Sequence, residues 1–125
     1  MWLGLERNKK MEVRACYEEM ESNFDEVLSR LGSEQMVQRL ALKFLKDKSY
    51  ETLQKALQEK DVDSAFRAAH TLKGVCVNLG FDKLFEVSSA LTEKLRAKEL
   101  DGTDEMFEKV KKQYEITVGA IQKLQ

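Results

Sequence analysis

The sequence predicts an all-α protein, an antiparallel up-down four-helix bundle with additional short helices on its N-terminal side. Three observations lead there. The 125 residues contain no proline, so no residue is barred from a helix interior. Apolar residues recur at spacings of three and four through most of the chain, the period of an amphipathic helix. Strong helix formers (Leu, Glu, Lys, Ala, Met) are plentiful and β-branched runs are few. A chain of this length suits one domain, and 42% hydrophobic residues allow a sizeable core. Residues 1–125 are therefore read as a single domain, with 1–9 as a flexible tail.

Met11, Val13, Tyr17 and Met20 begin the helical spacing, and this first helix ends near Ser22 and Asn23. Ser22 followed by Asp25 resembles a capping box for a short second helix carrying Phe24, Val27, Leu28 and Leu31. Gly32 closes it. These two pieces are expected to lid one end of the core. Ser33 caps a helix over about residues 34–46, with Met36, Val37, Leu40, Ala41, Phe44 and Leu45 on its apolar face. Ser49 is the expected N-cap of a helix over about 50–59, burying Leu53, Ala56 and Leu57. Asp61 caps a helix over 62–79, which Gly80 stops. Asp82 is the expected cap for about 83–98, whose stripe is Leu84, Val87, Leu91 and Leu95 with Ser88 near its middle. After a turn over 99–102, Thr103 caps the last helix, with Phe107, Val110, Tyr114, Thr117, Val118, Ile121 and Leu124 in register. Stripes of this kind on long helices joined by short turns define an antiparallel bundle.

The chain has one histidine, His70, in the helix over 62–79. Ala65, Ala69, Leu72, Cys76 and Leu79 form the buried stripe of that helix, flanked by Ala68 and Val75. At ~100° per residue, His70 points roughly 150° away from the centre of that stripe, into solvent. Its neighbours on that face are Phe66 and Arg67 one turn before, Lys73 and Gly74 one turn after, and Val77 two turns on. A glycine inside a helix costs about 1 kcal/mol relative to alanine, so Gly74 asks for a reason. At i+4 it clears space beside the imidazole. Lys73 at i+3 places a cation within reach of an anion on His70. Phe66 and Val77 leave an apolar collar where solvent favours polar groups. A lone helical histidine is more often plain surface, and close helix packing is an equal reason for a glycine at position 74. Together, the four features describe a phosphoryl-accepting histidine that docks against a partner, with Phe66, Arg67 and Val77 as docking residues.

The run Ala69-His70-Thr71-Leu72-Lys73-Gly74, followed by Asn78-Leu79-Gly80, closely resembles the signature of the histidine-containing phosphotransfer (HPt) domain family. The resemblance covers the chain from about Glu12 onward. It implies a helical bundle that passes a phosphoryl group between aspartates of receiver domains in a phosphorelay. His70 would be the phosphorylated residue, Lys73 the phosphate-side cation and Gly74 the clearance residue. The implied partners are response-regulator receiver domains, a hybrid histidine kinase, or both, with Mg²⁺ supplied by the receiver. Some members place a glutamine on the following helix near the imidazole. Thr92 aligns there, and Ser88, Ser89 or Thr92 are the candidates for orienting the ring. The competing reading is a helical scaffold module that binds partners without phosphorylation.

Net charge is −1, from 21 basic and 22 acidic residues, which offers no cationic footprint for nucleic acid. Cys16 and Cys76 read as buried thiols of a reducing cytosol, and with one histidine they lack zinc spacing. No metal site and no resident cofactor are expected. Met1-Trp2-Leu3-Gly4-Leu5 is too short for a signal sequence. No apolar run approaches the ~20 residues of a membrane span. The expectation is a cytoplasmic monomer. One imidazole without carboxylate or metal partners on its own face is a poor catalytic set, and there is no nucleotide loop. A phosphocarrier without kinase activity of its own is expected, rather than an enzyme.

Overall fold

The computed structural model describes residues 11–124, and the predicted tail over 1–9 lies outside them. Among the described residues there are seven helices and no strand. They are α1 (Val13–Glu19), α2 (Phe24–Leu31), α3 (Glu34–Phe44), α4 (Ser49–Gln58), α5 (Val62–Leu79), α6 (Asp82–Arg96) and α7 (Thr103–Gln122). Helices α4 to α7 form the bundle, each packed on the next. Their antiparallel sense is visible in the pairs they make. Lys98, beyond the end of α6, meets Asp63 at the start of α5 at 3.2 Å. Tyr50 of α4 stacks on Tyr114 of α7, centroids 3.8 Å apart and 5° from parallel, and on Phe107 at 5.4 Å. These stacks join α4 to α7. The short helices pack outside this frame, α1 against α7 and α3 against both α5 and α7.

Burial follows the predicted stripes closely. On α5, Ala65, Ala68, Ala69, Leu72, Cys76 and Leu79 are buried. On α7, Phe107, Val110, Thr117 and Ile121 face the core, with Leu124 just past its end. On α6 the buried set is Leu84, Ser88, Leu91, Thr92 and Leu95, while Val87 is only half-buried. On α4, Tyr50 is buried and Leu57 half-buried, the reverse of the weight given them from spacing.

Capping agrees where it is local. Ser33 accepts from the Met36 N–H and Asp61 from the Ser64 N–H, both at 3.1 Å. Gly32 and Gly80 end α2 and α5 with φ of 95° and 71°. Four expected caps are corrected. Asn23, not Ser22, caps α2, accepting from the Glu26 N–H. The Ser22 hydroxyl instead accepts from the Asp82 N–H at 3.0 Å, so it serves the first turn of α6. Asp82 is inside α6, and its carboxylate accepts the Asn23 N–H at 3.1 Å. Ser49 lies inside α4, its N–H donating to the Asp47 carboxylate at 2.8 Å. Thr103 lies inside α7 after Gly102, and its hydroxyl donates to the Leu100 carbonyl at 2.7 Å.

The short helices clamp the end of α5. The last carbonyls of a helix lack partners within it. The Tyr17 hydroxyl of α1 donates to the Leu79 carbonyl, and Arg30 of α2 donates to the Val77 carbonyl at 3.1 Å. Gly80 sits against α2 so closely that a Cβ there would lie 3.0 Å from the Val27 Cβ. The turn that sets α6 beside α5 is thus held from outside the bundle.

Candidate functional site

His70 lies mid-way along α5 on its exposed face, as periodicity requires of a residue opposite the Leu72–Cys76 stripe. Its ring stacks against Phe66 one turn earlier, with centroids 5.9 Å apart and planes 20° from parallel. Arg67 is exposed; its guanidinium donates to the Ser64 hydroxyl at 3.1 Å, and its carbonyl accepts the Thr71 hydroxyl at 2.9 Å. Val77 continues the apolar surface and is 47% exposed, the most exposed large hydrophobic among the described residues. Around Gly74 a Cβ would meet nothing within 4 Å. The glycine therefore does not serve the approach of another of the described helices. It leaves open space one turn from the imidazole.

Two residues of α6 complete this face, and neither is evident from spacing within α5. Glu93 faces Lys73 across the interhelical groove, Oε2 to Nζ 3.9 Å. The same carboxylate accepts from Arg96, Nε to Oε1 at 3.1 Å and Nη2 to Oε2 at 3.3 Å. Arg96 in turn lies over the Phe66 ring, its Cζ 5.0 Å from the centroid. The hydrogen bond from Arg96 holds the Glu93 carboxyl below its ordinary range, and the charges of Arg96, Lys73 and His70 add to this. The structure thus gathers Phe66, His70, Lys73, Gly74 and Val77 from α5 with Glu93 and Arg96 from α6.

Two of the three candidates for orienting the ring, Ser88 and Thr92, are buried away from this face. Thr92 is fully buried, and its hydroxyl donates to the Ser88 carbonyl at 2.7 Å. Ser88 is also fully buried, and its hydroxyl has no partner among the described residues. Both lie on the core side of α6 with Leu91 and Leu95, so neither hydroxyl is directed to an exposed imidazole. Ser89 is half-buried. Among the described residues no group of three or more His, Cys, Asp or Glu is arranged to hold a metal. Likewise, no helix among them is long and apolar enough to cross a membrane.

The described residues form a helical bundle that presents the one imidazole of the chain on the exposed face of α5, with Lys73 and Gly74 one turn away. The family model described as Hpt domain matches residues 47–122, which takes in the whole of the α4–α7 bundle. The chain belongs to the Hpt domain family. Hpt domains are phosphocarriers of phosphorelays, where they transfer phosphoryl groups on histidine and interact with receiver domains and histidine kinases. No curated protein and no solved structure matches the chain.

Proposed function

We propose that this protein carries a phosphoryl group on His70 between the aspartates of receiver domains, or from a hybrid histidine kinase to a receiver. The observation that carries the reading is the open space at Gly74. A mid-helix glycine that packs against nothing among the described residues, one turn from the only histidine, is explained by a visitor.

An imidazole is partly neutral, and so nucleophilic, near pH 7. One nitrogen of His70 attacks the phosphorus of a receiver's aspartyl phosphate. The P–O bond to the carboxyl breaks and the carboxylate leaves with its electron pair. The N–P bond forms, and the proton stays on the other ring nitrogen. The reverse sequence loads the next receiver. Backbone N–H groups in the middle of α5 are committed to the helix, so α5 offers no backbone cradle for the phosphate. Lys73, at i+3 on the same face, is the cation this chain offers it, held beside the groove by Glu93. The partner therefore supplies most of the stabilisation of the transferring group, and the Mg²⁺ with its carboxylates belongs to the receiver. Glu93, the carboxylate at this face, is already spent on Arg96 and Lys73. Phe66, Arg67 and Val77 form the docking surface. Val77 and Ile116 are the exposed large hydrophobics among the described residues, which supports a monomer with one principal docking face. The working compartment proposed is the cytoplasm.

The test is transfer from a phosphorylated receiver of the same genome. The wild-type protein is expected to acquire acid-labile, base-stable phosphate, and His70→Gln none. A scaffold without phosphotransfer would give the opposite pattern in vivo, with His70→Ala signalling normally and Phe66→Asp failing.

A further inference from the structure

The site carries an anion that phosphotransfer does not require, and its placement assigns it a task. We propose that Glu93, anchored by Arg96, is a positioning residue that holds Lys73 in the unphosphorylated protein and releases it to the phosphoryl group on His70. This rests on the phosphocarrier reading above.

The contacts around the imidazole run in a circuit. His70 stacks on Phe66, Arg96 covers Phe66, Glu93 holds Arg96, and Glu93 faces Lys73. Lys73 is one turn from His70 on the same helix, which brings the chain of contacts back beside the imidazole. The links differ in strength. Glu93 and Arg96 are i and i+3 on α6 and share three N–H···O contacts of 3.1 to 3.4 Å. Such multiple, charge-assisted bonding fixes a carboxylate in one orientation. The link from Glu93 to Lys73 is a single pair at 3.9 Å, at the outer limit of an ion pair. The Lys73 side chain is only 27% exposed, so its stem lies along the groove between α5 and α6 with the ammonium at Glu93. The weak link is the one that must open. A phosphoryl group on His70 brings up to two negative charges and three acceptor oxygens, against one charge on Glu93. Lys73 then changes partner by a side-chain rotation, and Glu93 stays on Arg96. Until that moment Glu93 prevents the lysine from straying. The cost is that Glu93 competes for Lys73 in the loaded state, so it lowers occupancy of His70.

Phosphoramidate tests this without any partner protein. The imidazole nitrogen attacks its phosphorus, the P–N bond breaks, and ammonia leaves. The phosphorylated fraction is read by intact mass spectrometry, with a melting curve for each variant. Glu93→Gln keeps an acceptor for Arg96 but removes the charge that holds Lys73. It should load His70 roughly two- to fivefold faster or further, the range expected for one exposed ion pair. Glu93→Asp should return towards wild type. The gain should vanish when Glu93→Gln is made in a Lys73→Ala background, which isolates the coupling between the two. Loading of Glu93→Gln equal to or below wild type, at an unchanged melting temperature, overturns the proposal. So does a gain that persists in full without Lys73, because that would be repulsion alone. If the wild-type protein takes no label on His70, the phosphocarrier reading falls and this inference with it. Labelling indifferent to Glu93 removes the inference alone.

Discussion

Gly74 decides between two explanations that the sequence leaves side by side. Helical glycines often admit a neighbouring helix, and then any side chain at that position breaks the fold. Here a Cβ would meet nothing, so substitution should not disturb the bundle. Gly74→Gln is expected to raise stability by up to ~1 kcal/mol, because glycine is the poorer helix former. The same variant should slow transfer from a phosphorylated receiver by an order of magnitude or more, by filling the space the partner needs. A melting curve and a transfer time course check this together; a variant that unfolds, or one that transfers at the wild-type rate, contradicts the assignment. Openness alone is not enough, since Gly119 in α7 is equally open and nothing in the structure explains it. Position beside His70 is what separates the two. The α5 half of the site was legible because helix geometry makes neighbours of residues three and four apart. That rule places Phe66, Lys73, Gly74 and Val77 around His70 without any tertiary knowledge. Glu93 and Arg96 were not legible, because their arrival depends on the register between α5 and α6. The same register turns Ser88 and Thr92 inward; Thr92 follows Leu91 on the buried stripe, and that adjacency was the available signal.

At the level of elements, what separates legible from hidden is the range of the interaction. As caps, Asp61, Ser33, Gly32 and Gly80 bond within four residues of themselves, and each is legible from its neighbours. Ser22 and Asp82 act on each other's segments across about sixty residues, and local reading gave both the wrong role. Their exchange of hydrogen bonds fastens the α1–α2 turn to the start of α6. With Tyr17 and Arg30 on the last carbonyls of α5, it braces the α5–α6 corner from both α1 and α2. Because this corner sets the register that brings Glu93 to Lys73, it controls the site at a distance. Gly80→Ala tests that dependence. The new Cβ would press on Val27 at 3.0 Å, and φ of +71° is unfavourable for any L side chain. The expected loss is about 1–3 kcal/mol, the cost of a residue held in a sparsely populated backbone region. Urea unfolding measures it. Transfer should weaken along with stability, unlike in Gly74→Gln, and a Gly80→Ala protein of wild-type stability would show that the corner relaxes freely.

For the molecule as a whole, the core contains acids that folding keeps protonated. Cys16, Cys76 and Tyr17 are fully buried. Burial pushes the Cys16 thiol up to about 11, and raises Cys76 and the Tyr17 hydroxyl further still. In the unfolded chain the thiols titrate near 8.5 and the tyrosine near 10. The folded values are raised, so the unfolded state gives up its protons first as pH climbs. The stability associated with these groups is therefore complete below about pH 8.5 and is lost as pH rises towards the folded values. Each group removes at most ~1.4 kcal/mol per pH unit in that window, so the two thiols together remove up to ~4 kcal/mol by pH 10. The urea midpoint is expected to hold level from pH 7 to about 8.5 and then to fall steadily, with both thiols inert to alkylating reagents in the folded protein throughout the level region. A midpoint unchanged to pH 10, or a thiol that reacts at pH 7 without unfolding, would mean that the bundle opens at Cys16 or Cys76 far more readily than its packing implies. The site would then feel the change as well, because Cys76 lies on the same helix as His70, and the stripe it belongs to is what turns the imidazole outward.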